Sequence, residues 1–145
     1  MNEGHGTIVT DYARGRNMHL TAESWNVENT NLAAHLDGEH IIKVPIGGVS
    51  PRSTDSYVVE TWFRGEKDKN ARATLLSVTD RVSIGFDYDN SMILHLYNDS
   101  LSSLDSNGLP IVLTNTDYND GNWHHIALNV HRGVSAVVYL DGKPV

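Results

Sequence analysis

Cysteine is absent from the 145 residues, which excludes a disulfide framework and every thiolate metal site. It leaves the compartment undecided. No apolar run approaches the roughly 18 residues that a membrane-spanning helix needs, so membrane insertion is not expected. The first residues, Met-Asn-Glu-Gly-His-Gly, have neither the basic n-region nor the apolar h-region of a secretion signal. Positive charge is scarce: Lys+Arg 11 against Asp+Glu 18 gives a net charge of −7. An acidic surface of this kind argues against nucleic acid and anionic membrane as partners. Helical periodicity, internal repeats and low-complexity tracts are missing too.

Short segments of strand character are there instead, separated by turn residues at close intervals. The clearest lie in the last quarter. From Trp123 to Val130 the residues alternate, with His124, Ile126, Leu128 and Val130 on one face and Trp123, His125, Ala127 and Asn129 on the other. This period of two predicts a half-buried antiparallel strand. His131-Arg-Gly133 supplies a turn, Ser135 to Leu140 runs back, and Asp141-Gly142 signals a further turn. Upstream, Tyr57 to Arg64 reads as a strand with apolar residues on both faces, as at the centre of a sandwich. Ala73 to Thr79 and Arg81 to Tyr88 read as a pair, with Val82, Ile84 and Phe86 on one face. Asp89-Asn90 turns the chain into Met92 to Tyr97, and a short strand follows at Pro110 to Thr114. The length fits one domain with a two-layer core, and the pattern predicts an all-β sandwich.

Four phrases of the sequence also carry a family resemblance. Asp120-Gly-Asn-Trp-His-His-Ile-Ala127 followed by Val138-Tyr-Leu-Asp-Gly-Lys-Pro-Val145 resembles the signature of laminin G-like domains. Leu36-Asp-Gly-Glu-His-Ile-Ile-Lys-Val-Pro45 and Tyr57-Val-Val-Glu-Thr-Trp-Phe63 are similar to that family's earlier strands, in the family's order. The resemblance implies a concanavalin A-like antiparallel jelly roll, with residues 1–145 as a single laminin G-like domain. It also implies an apolar strand before Met1 and further strands after Val145. The expectation is therefore a sandwich incomplete without more strands, supplied by the rest of a larger protein or by another chain. The family is mostly extracellular, so the chain is expected in a secreted or cell-surface protein.

Chemistry is sparse. Asp87 and Asp89 fall on one side of a strand end, where a polar turn accounts for them as well as acid–base work does. No strand carries a Glu-x-Asp-x-x-Glu cluster, Glu60 is at best a lone inward carboxylate, and no Gly-x-Ser-x-Gly elbow exists. Catalysis is not expected. The eight histidines are scattered, without metal-ligand spacing. His124 and His125 point to opposite faces, and the resemblance makes His124 a hydrogen-bonded core histidine. Calcium, which takes oxygen ligands from loops, has candidates in Asp11, Asp87, Asp89 and Asp117; ordinary Asx turns explain the same residues. For carbohydrate, whose ring faces stack on aromatics while hydroxyls need polar partners, Trp25, Tyr88, Tyr97, Tyr118 and Asn119 are the candidates. Trp62 and Trp123 are read as core anchors. Function is expected to be recognition of a glycan, or of a glycosylated or protein surface, by loops of the sandwich; the alternative is a structural spacer without a ligand.

Overall fold

The computed structural model describes residues 5–10, 17–20, 25–28, 31–36, 42–43, 56–66, 72–78, 82–96, 111–131 and 135–145. Among them there is no helix, and every strand pairing is antiparallel. The chain forms two compact units, residues 1–50 and 51–145. In the first, β1 (Ile8–Val9), β2 (Met18–Leu20) and β5 (Ile42–Lys43) form one sheet, and β3 (Trp25–Glu28) pairs with β4 (Asn31–Ala34). The second unit contains β6 (Tyr57–Phe63), β7 (Ala73–Val78), β8 (Val82–Phe86), β9 (Met92–Leu96), β10 (Ile111–Thr114), β11 (His124–His131), β12 (Ser135–Leu140) and β13 (Lys143–Pro144). These make two four-stranded sheets, ordered β10-β9-β8-β7 and β13-β12-β11-β6.

The two sheets pack face to face because each strand's alternation sends one row of apolar side chains inward. From β8 and β9 come Val82, Ile84, Phe86, Met92 and Leu94; from β6, β11 and β12 come Phe63, Ile126, Leu128, Val130, Val138 and Leu140. Register lines these residues up across the strands, with Ile126 opposite Leu140 and Leu128 opposite Val138. On β6, Val59 lies opposite Leu128 and Phe63 opposite His124. Full burial of each such aliphatic side chain stabilises the fold by about 1.5–3 kcal/mol. The Phe63 and Phe86 rings meet edge-on across the sandwich, with centroids 5.9 Å apart.

The strand pattern of the second unit follows the sequence closely, including the β8–β9 turn, where Asn90 takes a left-handed φ of 62°. At the β12–β13 turn, Asp141 and Gly142 have φ of 48° and 76°. Two successive left-handed residues define the hairpin turn that Asp-Gly favours. The expected turn after His131 lies largely outside the described residues. One expectation is corrected. Strand β6 does not bury both faces: Val58, Glu60 and Trp62 alternate outward and are exposed, while Phe63 is buried and Tyr57 and Val59 pack on the core.

Candidate functional site

The C-terminal ends of β6 and β8 meet the N-terminal end of β11 at one end of the sandwich. A run of aromatic contacts traces this end: Phe86 against Phe63, Phe63 against His124 at 5.8 Å, and Tyr118 edge-on to His124 at 4.9 Å. The loops around it hold most of the polar residues singled out in the sequence.

At the middle of this end His124 is clasped between two carboxylates. Its Nδ1 lies 2.8 Å from Asp141 Oδ2 and its Nε2 3.0 Å from Asp120 Oδ1. Asp141 Oδ1 also accepts the His125 backbone N–H at 2.9 Å, and the Asp141 N–H donates to the His125 carbonyl at 2.9 Å. Asp120 accepts from the Asn122 backbone N–H and side-chain amide, both at 2.8 Å. Burial opposes the charged imidazole, but hydrogen bonds and charge from Asp141 and Asp120 outweigh it and raise the His124 pKa. The Asn122 hydrogen bonds, aided by His124, lower Asp120 to about 2. The His125 backbone N–H chiefly lowers Asp141, with His124 adding to it. With both ring nitrogens held, His124 has none left for proton transfer to a substrate. It ties the loop before β11 to the turn after β12.

The other carboxylates are also committed. Asp89 Oδ1 accepts the Ser91 N–H at 3.0 Å, and Asp117 Oδ1 the Asn119 N–H at 2.8 Å. Both are Asx turns, each bonding the residue two further on. Asp87 Oδ1 takes Arg72 Nε and Nη2 at 3.1 Å and the Tyr88 N–H at 2.9 Å. A cation thus already sits on Asp87. Among the described residues no group of three or more His, Asp or Glu stands at metal-holding distances. Asp11 lies outside the described residues, as does Tyr97.

Of the aromatic candidates, Tyr88 stands out from the surface. Its ring sits in the β8–β9 turn, the residue is 65% exposed, and the Arg72 guanidinium carbon lies 5.5 Å from the ring centroid. Trp25, in the first unit, is half-buried and donates from Nε1 to the Gly6 carbonyl at 2.7 Å. Tyr118 packs on the core cluster and Asn119 is 7% exposed. Tyr118 is half-buried, whereas Asn119 is buried and offers little surface to a ligand, against its expected place on a binding surface. Asn119 fills the space that a side chain at position 65 would occupy, against Gly65.

The two tryptophans read as core anchors are likewise corrected. Trp62 is 64% exposed and Trp123 39% exposed. Trp62 lies opposite His125 on the outer face of the sheet, with ring centroids 5.0 Å apart. The Arg64 guanidinium carbon is 5.5 Å from the Trp123 ring centroid. Glu60, expected to point inward, faces out, with Oε2 3.8 Å from His125 Nε2. The signal was in the sequence: Val58-x-Glu60-x-Trp62 puts a carboxylate in the same alternating row as the indole.

The chain is thus an all-β sandwich of concanavalin A-like type. The sequence profile of the laminin G type 3 family, in the concanavalin A-like lectin/glucanases superfamily, matches residues 36–145, and the chain belongs to that family. No curated protein and no solved structure matches it. No helix among the described residues is long and apolar enough to cross a membrane.

Proposed function

We propose that this is a non-catalytic binding module of a secreted or cell-surface protein, recognising a glycan through the turns at one end of its sandwich. Membership of a superfamily that includes lectins supports a binding role. The observation that carries the reading is Tyr88. An aromatic ring held out on a short turn, 65% exposed, offers its face to the C–H face of a sugar. Arg72 and Asp87, bonded to each other beside it through Asp87 Oδ1, Arg72 Nε and Arg72 Nη2, bring Arg72 Nη1 and Asp87 Oδ2 near the ring as donor and acceptor for hydroxyl groups. The Arg72–Asp87 contact also fixes the base of the turn, so the ring is positioned before a ligand arrives.

The non-catalytic part rests on how the carboxylates are used. Asp120 and Asp141 hold His124, Asp87 holds Arg72, and Asp89 and Asp117 close Asx turns. Each of these carboxylates accepts structural hydrogen bonds, whereas glycoside hydrolysis needs two carboxyl groups flanking the bond that is cleaved.

A glycan array probed with the full chain, with calcium and with chelator, tests the proposal. We expect binding to a restricted set of glycans, reduced about tenfold by Tyr88→Ala in a variant that melts like the parent. Silence across the array favours a structural spacer. Binding unaffected by Tyr88→Ala moves the site elsewhere, and survival in chelator removes calcium from the account.

A further inference from the structure

We infer that the outer face of the β6–β11 sheet carries a second carbohydrate site, a ledge built on Trp62 and Trp123 that takes a neutral glycan of at least two sugar units. It goes beyond the turn at Tyr88, which lies on the opposite sheet's connection. Strand alternation explains the ledge. Trp62 and Arg64 share one parity on and just after β6, and Trp123 and His125 share the matching parity just before and on β11. Since Trp62 pairs with His125, continuing the antiparallel register brings Arg64 to Trp123, where the guanidinium lies 5.5 Å from the indole centroid. The two tryptophan positions are thereby diagonal neighbours on adjacent chain segments, roughly 7–8 Å apart, which suits adjacent rings of one chain.

The surroundings select the ligand. Trp62, 64% exposed, has His125 against its ring and Glu60 one step further along the same face. A protein–protein interface places charged groups at its rim and leaves its centre depleted of them. Here Glu60 and Arg64 lie two positions either side of Trp62 in the same outward row. Apolar ring faces interleaved with an acceptor, a donor and an imidazole match a saccharide, which presents C–H faces and hydroxyls together. One carboxylate and one guanidinium balance each other, so the surface favours neither an acidic nor a basic chain.

Affinity electrophoresis of the full chain through gels holding soluble neutral polysaccharides tests this. The panel is mixed-linkage β-glucan, xylan, galactomannan and laminarin, with alginate as the anionic control. We expect retardation by at least one neutral polymer. Trp62→Ala should weaken it roughly tenfold, the size expected for an aromatic anchor; Trp62→Phe, which keeps a ring, should retain most of it, and Tyr88→Ala should leave it unchanged. Migration unaltered by every neutral polymer overturns the ledge. So does retardation that survives Trp62→Ala, and if that retardation is lost in Tyr88→Ala, the turn binds and the ledge does not. Retardation by alginate alone contradicts the neutral ligand. Because Trp123 adjoins His124, its alanine variant is compared at matched folded fraction, and equal retardation there also counts against the ledge.

Discussion

His124 and Asp141, 17 positions apart in sequence, meet at 2.8 Å between Nδ1 and Oδ2. This contact, with Asp120 on the other ring nitrogen, gives the Trp-His-His and Asp-Gly phrases of the family signature a physical meaning. They lock the start of β11 to the end of β12. Within the signature, Asp120, His124 and Asp141 make a fold device, while the exposed aromatic rings of Tyr88, Trp62 and Trp123 lie outside the clasp.

Asp141→Asn isolates the charge in this clasp, since asparagine tolerates the left-handed φ of 48° at that position. Hydrogen bonds to charged groups contribute about 1.5–3 kcal/mol, and the partial exposure of Asp141 puts the loss at the lower end. Urea denaturation should show a reduced midpoint with an unchanged slope. An unchanged midpoint would mean that the clasp contributes nothing.

The same contacts set a pH dependence. His124 is raised above 6.5, so its contribution is complete below that value and is lost as pH rises through its folded pKa. Asp120 falls from 3.8 to about 2, so its contribution is complete above 3.8 and is lost as pH falls towards 2. Melting temperature should therefore be highest between roughly pH 4 and 6. In a His124→Asn variant the decline above neutrality should be flatter.

Gly65→Ala should destabilise the chain, because a Cβ there runs into the buried Asn119 side chain. Overpacking of this kind costs about 1–3 kcal/mol. In the double variant with Asn119→Ala, part of the Gly65→Ala cost should disappear. Additive losses in a double-mutant cycle would contradict the contact.

The exposure of Trp62 predicts that Trp62→Ala costs less than about 1 kcal/mol, as surface substitutions do. Ile126→Ala, at a residue with 0% exposure, should cost about 2–5 kcal/mol. Equal losses in chemical denaturation would restore Trp62 to the core.

Most of the second unit was legible because alternation and turn chemistry agree there. Ile126, Leu128 and Val130 face inward as their spacing dictates, and Asp141-Gly142 turns as its residues require. Strand β6 was misread because Tyr57, Val59, Val58 and Trp62 are apolar on both sides; composition alone does not say which row meets the opposite sheet. Tyr88 was legible as a turn aromatic. Its partner Arg72 was not, since that contact joins positions on either side of the β7–β8 hairpin. Tyr118 and Asn119 sit in an equally polar loop, but the ring of His124 and the gap above Gly65 draw them inward.

The most direct test of glycan recognition through exposed aromatics is a titration of the isotope-labelled chain with an array-positive oligosaccharide, followed by NMR. Shifts are expected at the Tyr88 and Arg72 amides for a turn ligand and at the Trp62 and Trp123 indoles for a ledge ligand, with the Trp25 indole unmoved. The sugar should also remain uncleaved. Shifts confined to other residues, or release of reducing sugar, would contradict non-catalytic recognition through these rings.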